Sequence, residues 1–150
     1  MNTHRFLGLD FGDKTIGVSV SNLDGKVATG ITTLTRQDEA TLRPSLKALK
    51  AIVREYNITH IVLGYPKYLD GRDSPRCAKT LLFKDKLSRY LKSITIELWD
   101  ERLSTRAVSR TFEGNTKQYE KHVDEMAAVY ILQGFLDREQ TLALEVAEPH

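Results

Sequence analysis

Acidic side chains set against apolar sequence are the first candidates for chemistry. Asp10 ends the run Phe6-Leu7-Gly8-Leu9-Asp10 and is followed by Phe11-Gly12. Asp100 and Glu101 come directly after Ile96, Leu98 and Trp99, and Asp124 stands beside Val123 at the head of an apolar stripe. A carboxylate buried without a partner costs several kcal/mol or shifts its pKa. Asp10 therefore needs either the amides of its own turn or a cation. Carboxylates brought close repel one another unless a divalent ion compensates them. An all-oxygen donor set suits Mg²⁺ or Mn²⁺, while no Cys/His cluster supports zinc. Two such ions about 3.5–4 Å apart activate a water and stabilise the departing oxygen in phosphodiester hydrolysis. The chemistry expected of these residues is that of a metal-dependent nuclease. Lys14 either contacts phosphate or is a solvated turn residue, and Arg102 either contacts phosphate or only orients Glu101.

These residues share a site only if the elements carrying them meet. Two apolar runs around Asp10-Phe11-Gly12-Asp13-Lys14 read as a strand, a tight turn and a second strand, with Asn22-Leu23-Asp24-Gly25 turning into a third near residues 27–34. Leu42, Leu46, Leu49, Val53 and Tyr56 recur at helical spacing over 41–56, with Pro44 in the first turn. Residues 58–63 read as a buried parallel strand. The polar segment 67–76 reads as a mobile surface loop ending in a Ser74 N-cap and Pro75, and a helix follows to about residue 91. Ile94, Ile96 and Leu98 alternate with polar residues as a half-buried strand. Ser104 caps a further helix stopped by Gly114, residues 115–121 form a polar connection, and a last helix carries Val123, Met126, Ala127, Tyr130, Ile131, Gly134 and Phe135.

The order β-β-β-α-β-α-β-α-α predicts an α/β fold: a five-stranded mixed sheet of order 3-2-1-4-5, flanked by helices, with the first strand central and right-handed crossovers. Strands 1, 4 and 5 then run parallel, and their C-terminal ends form the edge where open α/β sheets place their sites. Asp10 and the Asp100/Glu101 pair emerge there. Asp124 joins them if the last helix starts near the same edge.

At 150 residues the chain has the length of one ordinary domain, expected over residues 1–140 with a loose acidic tail over 141–150. A hydrophobic content of 41% with 28% charged residues fits a globular protein. No apolar run approaches a membrane span and the first residues lack a signal-peptide core, so a cytosolic protein is expected. Cys77 is the single cysteine, which excludes an internal disulfide and suits a core filler. A net charge of +2 does not by itself demand a nucleic-acid partner, because the placement of basic residues matters more than their total.

The blocks Leu7-Gly8-Leu9-Asp10-Phe11-Gly12-Asp13-Lys14-Thr15-Ile16-Gly17-Val18, Gly64-Tyr65-Pro66 with Asp70-Gly71, Asp100-Glu101-Arg102-Leu103-Ser104-Thr105, and Val123-Asp124-Glu125-Met126-Ala127-Ala128 through Gly134 occur in that order. Together they resemble the YqgF/RuvX family. The resemblance implies an RNase H-like fold and a metal-dependent nuclease whose acidic positions fall on Asp10, Glu101 and Asp124, with Glu101 chosen over Asp100 by the family pattern alone. It implies Mg²⁺ or Mn²⁺, two ions with substrate bound, and a nucleic-acid partner: pre-16S ribosomal RNA at its 5′ end, or four-way branched DNA. Symmetric cuts in a junction need a two-fold homodimer, whereas an RNA-processing enzyme can act as a monomer. Tyr65, Tyr68, Lys67, Arg72 and Arg76 are expected to contact unpaired bases or backbone, the alternative being a plain connection.

Two other readings compete. Asp-x-Gly between strands also resembles the phosphate loop of the actin, sugar-kinase and heat-shock ATPase fold, but those proteins close two lobes around nucleotide and this length lacks the second. An inactive RNA- or protein-binding module is the third reading, against which the presence of all three acids argues.

Overall fold

The alternation of apolar residues along the first strand decides which side of the sheet each helix covers. The computed structural model describes residues 5–38, 40–103 and 116–147, excepting the side chains of residues 103, 116–124 and 144–147. Strands β1 (Phe6–Phe11), β2 (Thr15–Ser21), β3 (Ala28–Thr35), β4 (His60–Tyr65) and β5 (Thr95–Asp100) form one sheet of order β3-β2-β1-β4-β5. β1 pairs antiparallel with β2 and parallel with β4, and β4 pairs parallel with β5. The expected topology is therefore the one observed.

Side chains on successive strand residues point to opposite faces. Leu7 and Leu9 of β1, Ile61 and Leu63 of β4, and Ile16 and Val18 of β2 are fully buried in one core, with Leu46, Leu49 and Val53 from α1 (Arg43–Glu55) and Phe83 and Leu87 from α2 (Pro75–Tyr90). The other face holds a second core, in which Val62 and Trp99 meet Ile131, Leu132, Phe135 and Leu136 of α3 (Thr116–Ala147). By the same alternation Gly8, Asp10 and Gly64 belong to the α3 face.

Helix α3 lies directly on the sheet because Gly8 has no side chain. A Cβ there would stand 2.5 Å from Ser19 Oγ, 2.6 Å from Leu132 Cβ and 2.9 Å from the Ala128 carbonyl oxygen. Ser19 Oγ, itself buried, donates to that carbonyl at 2.8 Å and ties the helix to β2. Beyond Asp10 the chain turns through Gly12, whose amide donates to the Thr15 carbonyl at 2.7 Å. Arg36 holds this turn: its guanidinium donates to the carbonyls of Gly12 (2.7 Å) and Asp13 and lies 4.8 Å from the centre of the Phe11 ring.

The structure corrects several local expectations. On β5 the deeply buried residue is Trp99, while Leu98 is 37% exposed, because this edge strand is covered on the α3 side, where Phe135 meets Trp99 edge-on at 6.0 Å. The segment 67–76 has internal structure: Lys67 and Asp73 form a β-bridge, Tyr65 Oη donates to Asp73 at 2.9 Å, and the Tyr68 amide donates to the Arg72 carbonyl at 2.8 Å. Ser74 does occupy the N-cap position of α2, but its hydroxyl donates to the Pro66 carbonyl. Helix α3 begins at Thr116, within the stretch read as a polar connection, and continues to Ala147 through residues assigned to a tail. The helix expected after Ser104 lies outside the described residues. Cys77 is buried, as a core filler should be. Among the described residues no helix is long and apolar enough to cross a membrane.

Overpacking a filled interior costs about 1–3 kcal/mol. Gly8→Ala is therefore expected to lower the melting temperature by several degrees, about 2–4 °C for each kcal/mol at this size. A calorimetric scan showing an unchanged transition would contradict the close seating of α3.

Candidate active site

The C-terminal ends of β1 and β5 bring Asp10 and Glu101 together. Asp10 is the fifth residue of β1, and Glu101 opens a 3₁₀ turn (Glu101–Leu103) directly after β5. Gly64, at the end of the intervening β4, leaves the space between them. A Cβ on Gly64 would stand 2.6 Å from Glu101 Oε1 and 2.5 Å from Ile131 Cδ1. The Glu101 carboxyl lies close enough to Asp10 for that carboxylate to favour its protonated form. Burial, followed by the charge of Asp10, pushes the Glu101 carboxyl up from 4.5 to about 8, against a smaller opposing pull from Arg76.

Arg76 comes from the first turn of α2, and its Nη2 donates to the Phe11 carbonyl at 2.7 Å. With Asp10, Glu101, Ala127, Tyr130 and Ile131 it lines an open cleft of about 250 Å³. Asp124 lies on α3, three residues before Ala127 and seven before Ile131, and its side chain is outside the described residues. Among the described residues no three His, Cys, Asp or Glu side chains form a metal-holding group. Two oxygen-donor carboxyls side by side in a solvent-open cleft nevertheless fit a hard divalent cation.

Asp100, adjacent in sequence, is employed elsewhere. Arg102 Nε reaches both of its carboxylate oxygens at 3.0 Å and Nη2 reaches Oδ2 at 2.6 Å, so hydrogen bonds from Arg102 hold Asp100 below its usual carboxylate range. Arg102 Nη1 also donates to the Leu69 carbonyl at 3.5 Å, joining this turn to the 67–73 segment. The other basic residues are dispersed. Lys14 is exposed in the β1–β2 turn and does not line the cleft. Lys67 lies 5.9 Å from the centre of the Tyr65 ring, and Arg72 binds Asp70 at 2.7 Å and lies over the Tyr68 ring. The structure thus brings Arg76 to Asp10 and Glu101, and leaves Lys14, Lys67, Arg72 and Arg102 out of the cleft lining. Tyr130 was legible only as one residue of an apolar stripe. Its hydroxyl, on a residue three positions after Ala127, was the available signal that this face meets a polar cleft.

Residues 4–138 match the family described as RuvX: Holliday junction resolvase. The chain belongs to the RuvX family. A relative from Myxococcus xanthus is 45% identical over 136 residues, covering 89% of this chain and 87% of its own, and one from Agathobacter rectalis is 43% identical, covering 89% and 94%. Both carry the name "Putative pre-16S rRNA nuclease". The solved structure of Thermus thermophilus RuvC superposes with a TM-score of 0.55 at 11% identity, covering 91% of this chain and 97% of that one, so the RNase H-like fold is shared. RuvX membership makes the chain a nuclease, the enzyme class to which its acidic residues lead.

Because the folded protein keeps a proton on Glu101 that the unfolded chain releases above about 4.5, folding stability from this group falls as pH rises from there to about 8. In chelator, the melting temperature of wild type is expected to drop across that window, while Glu101→Gln flattens the dependence. Parallel curves for the two proteins would show that Glu101 is not the titrating group.

Proposed function

We propose that this RuvX chain is a divalent-metal-dependent phosphodiesterase that trims structured RNA at the 5′ end of pre-16S ribosomal RNA. The observation that carries the reading is the Asp10–Glu101 pair, two carboxyls held in contact in an open cleft with a guanidinium beside them. Asp10, Glu101 and Asp124 would hold Mg²⁺ or Mn²⁺, ions that activate water and stabilise a departing oxygen when two are bound. The helical spacing of Asp124 from Ala127 and Ile131 supports its place in this set.

The remaining steps belong to the chain itself. Glu101 gives up its proton when positive charge enters the cleft, so occupancy competes with protonation. Arg76, anchored on the Phe11 carbonyl, faces the phosphate with its remaining donors and neutralises charge on the non-bridging oxygens. Ala127, Tyr130 and Ile131 wall the cleft on the α3 side. RNA is preferred as substrate because the curated relatives share that name over nearly their whole length. Junction DNA is the second reading, favoured by the family description.

Purified wild type and Asp10→Asn are compared on a pre-16S 5′ leader, a four-way DNA junction and single-stranded DNA, with Mg²⁺, Mn²⁺ or chelator. Wild type is expected to cleave the leader with either metal. Chelator or Asp10→Asn should reduce the rate by about 100-fold or more, since several kcal/mol of transition-state stabilisation are lost. Paired symmetric cuts in the junction by a dimer, with the leader intact, would move the assignment to DNA. Equal cleavage by Asp10→Asn would reject the site.

A further inference from the structure

A second cavity lies on the opposite face of the sheet from the cleft, behind the same turn. Its volume is about 140 Å³, and Phe11, Leu82 and Phe83 give it apolar walls, with Arg36, Lys79 and Lys86 among its lining. The rings of Phe11 and Phe83 stack at 4.2 Å and 7°. Leu82, on the rim, is 64% exposed and open to a ligand entering the cavity. A space of this size is comparable to an apolar cavity that admits a single aromatic ring, and so suits one nucleobase.

Helix α2 joins this cavity to the cleft. Arg76, Lys79, Phe83 and Lys86 recur at spacings of three and four, placing three cations along one face. At 1.5 Å per residue the rail from Arg76 to Lys86 is about 15 Å long. Its first member lines the cleft and the other two line the cavity. Phe11 links the two: its carbonyl accepts a hydrogen bond from the cleft residue Arg76 at 2.7 Å while its ring forms the cavity wall. Among the described residues that line the cavity the acidic one is Asp13, 3.3 Å from Lys79 Nζ. Both partners are about half exposed, so this pairing is weak.

We propose that α2 guides the unpaired RNA strand flanking the scissile phosphate, with phosphates on Lys79 and Lys86 and one base in the cavity against Leu82. The inference takes its substrate from the RNA-nuclease reading above. A cavity for a single base requires an unpaired strand, which a precursor leader supplies and the paired arms of a junction do not. Apolar walls accept any base face, so the contact carries little sequence preference.

The test is fluorescence anisotropy of a labelled single-stranded leader RNA and a blunt RNA duplex, in chelator, with the full chain. Lys79→Ala/Lys86→Ala should make the slope of log affinity against log salt shallower by about 1.4, the value for two single-strand phosphate contacts. Leu82→Ser, which adds no charge beside Lys79 and Lys86, should weaken single-strand binding by about fivefold, from loss of roughly 1 kcal/mol of apolar contact, and leave duplex binding unchanged. All three residues are exposed, and melting curves confirm that the variants fold. Wild-type affinity and slope in both variants, equal loss on duplex and single strand, or no single-strand binding by wild type would each overturn the proposal. Cleavage assays run alongside separate the two readings. Leader cleavage with unaltered binding in the α2 variants rejects the strand path alone. Binding that depends on α2, with cleavage indifferent to Asp10→Asn, rejects the catalytic assignment alone.

Discussion

Two carboxyl groups that repel when ionised are kept within hydrogen-bonding distance by backbone that cannot move apart. Asp10 is fixed by β1, paired on both sides, and Glu101 by the end of β5, with β4 between them setting the spacing. Gly64 at the end of β4 provides the room, and Ile131 of α3 closes in over it. Protonation relieves the repulsion at the cost of holding Glu101 in its acid form near neutrality. A divalent cation would relieve it without the proton, and the cleft is open to admit one.

The neighbouring charges are sorted so that this pair keeps its character. Asp100 is tied to Arg102, Asp70 to Arg72 and Asp13 to Lys79. Arg76 reaches the pair from α2 while bonded to the backbone beside Asp10, so its position is fixed from the same turn that Arg36 pins. Helix α3 brings the third wall by packing onto Gly8, where the Ser19–Ala128 hydrogen bond registers it. The site thus depends on one turn after β1 and on one close helix contact.

Strand order and the common edge were legible because hairpin turns, a helix with a four-three apolar pattern and two short apolar runs left few right-handed topologies. The choice between Asp100 and Glu101 was not legible from residues alone. It follows from Trp99, which is buried under α3 and puts Glu101 on the side of Asp10, whereas an alternating Ile94, Ile96, Leu98 pattern points to the other face as the buried one. Edge strands break the alternation rule because only one side is covered at a given point. Arg76 looked equivalent to Lys67 and Arg72 in sequence. Its separation from them depends on how α2 docks beside β1, a tertiary fact with no local signature. The bonds within 67–73 were likewise hidden behind a polar, turn-rich composition.

The most direct measurement is anomalous diffraction at the manganese edge from crystals grown with Mn²⁺. An anomalous peak is expected in the cleft lined by Asp10 and Glu101, and is expected to be lost in Asp10→Asn crystals. An ordered cleft with no anomalous density at saturating Mn²⁺ and alkaline pH would contradict the metal assignment.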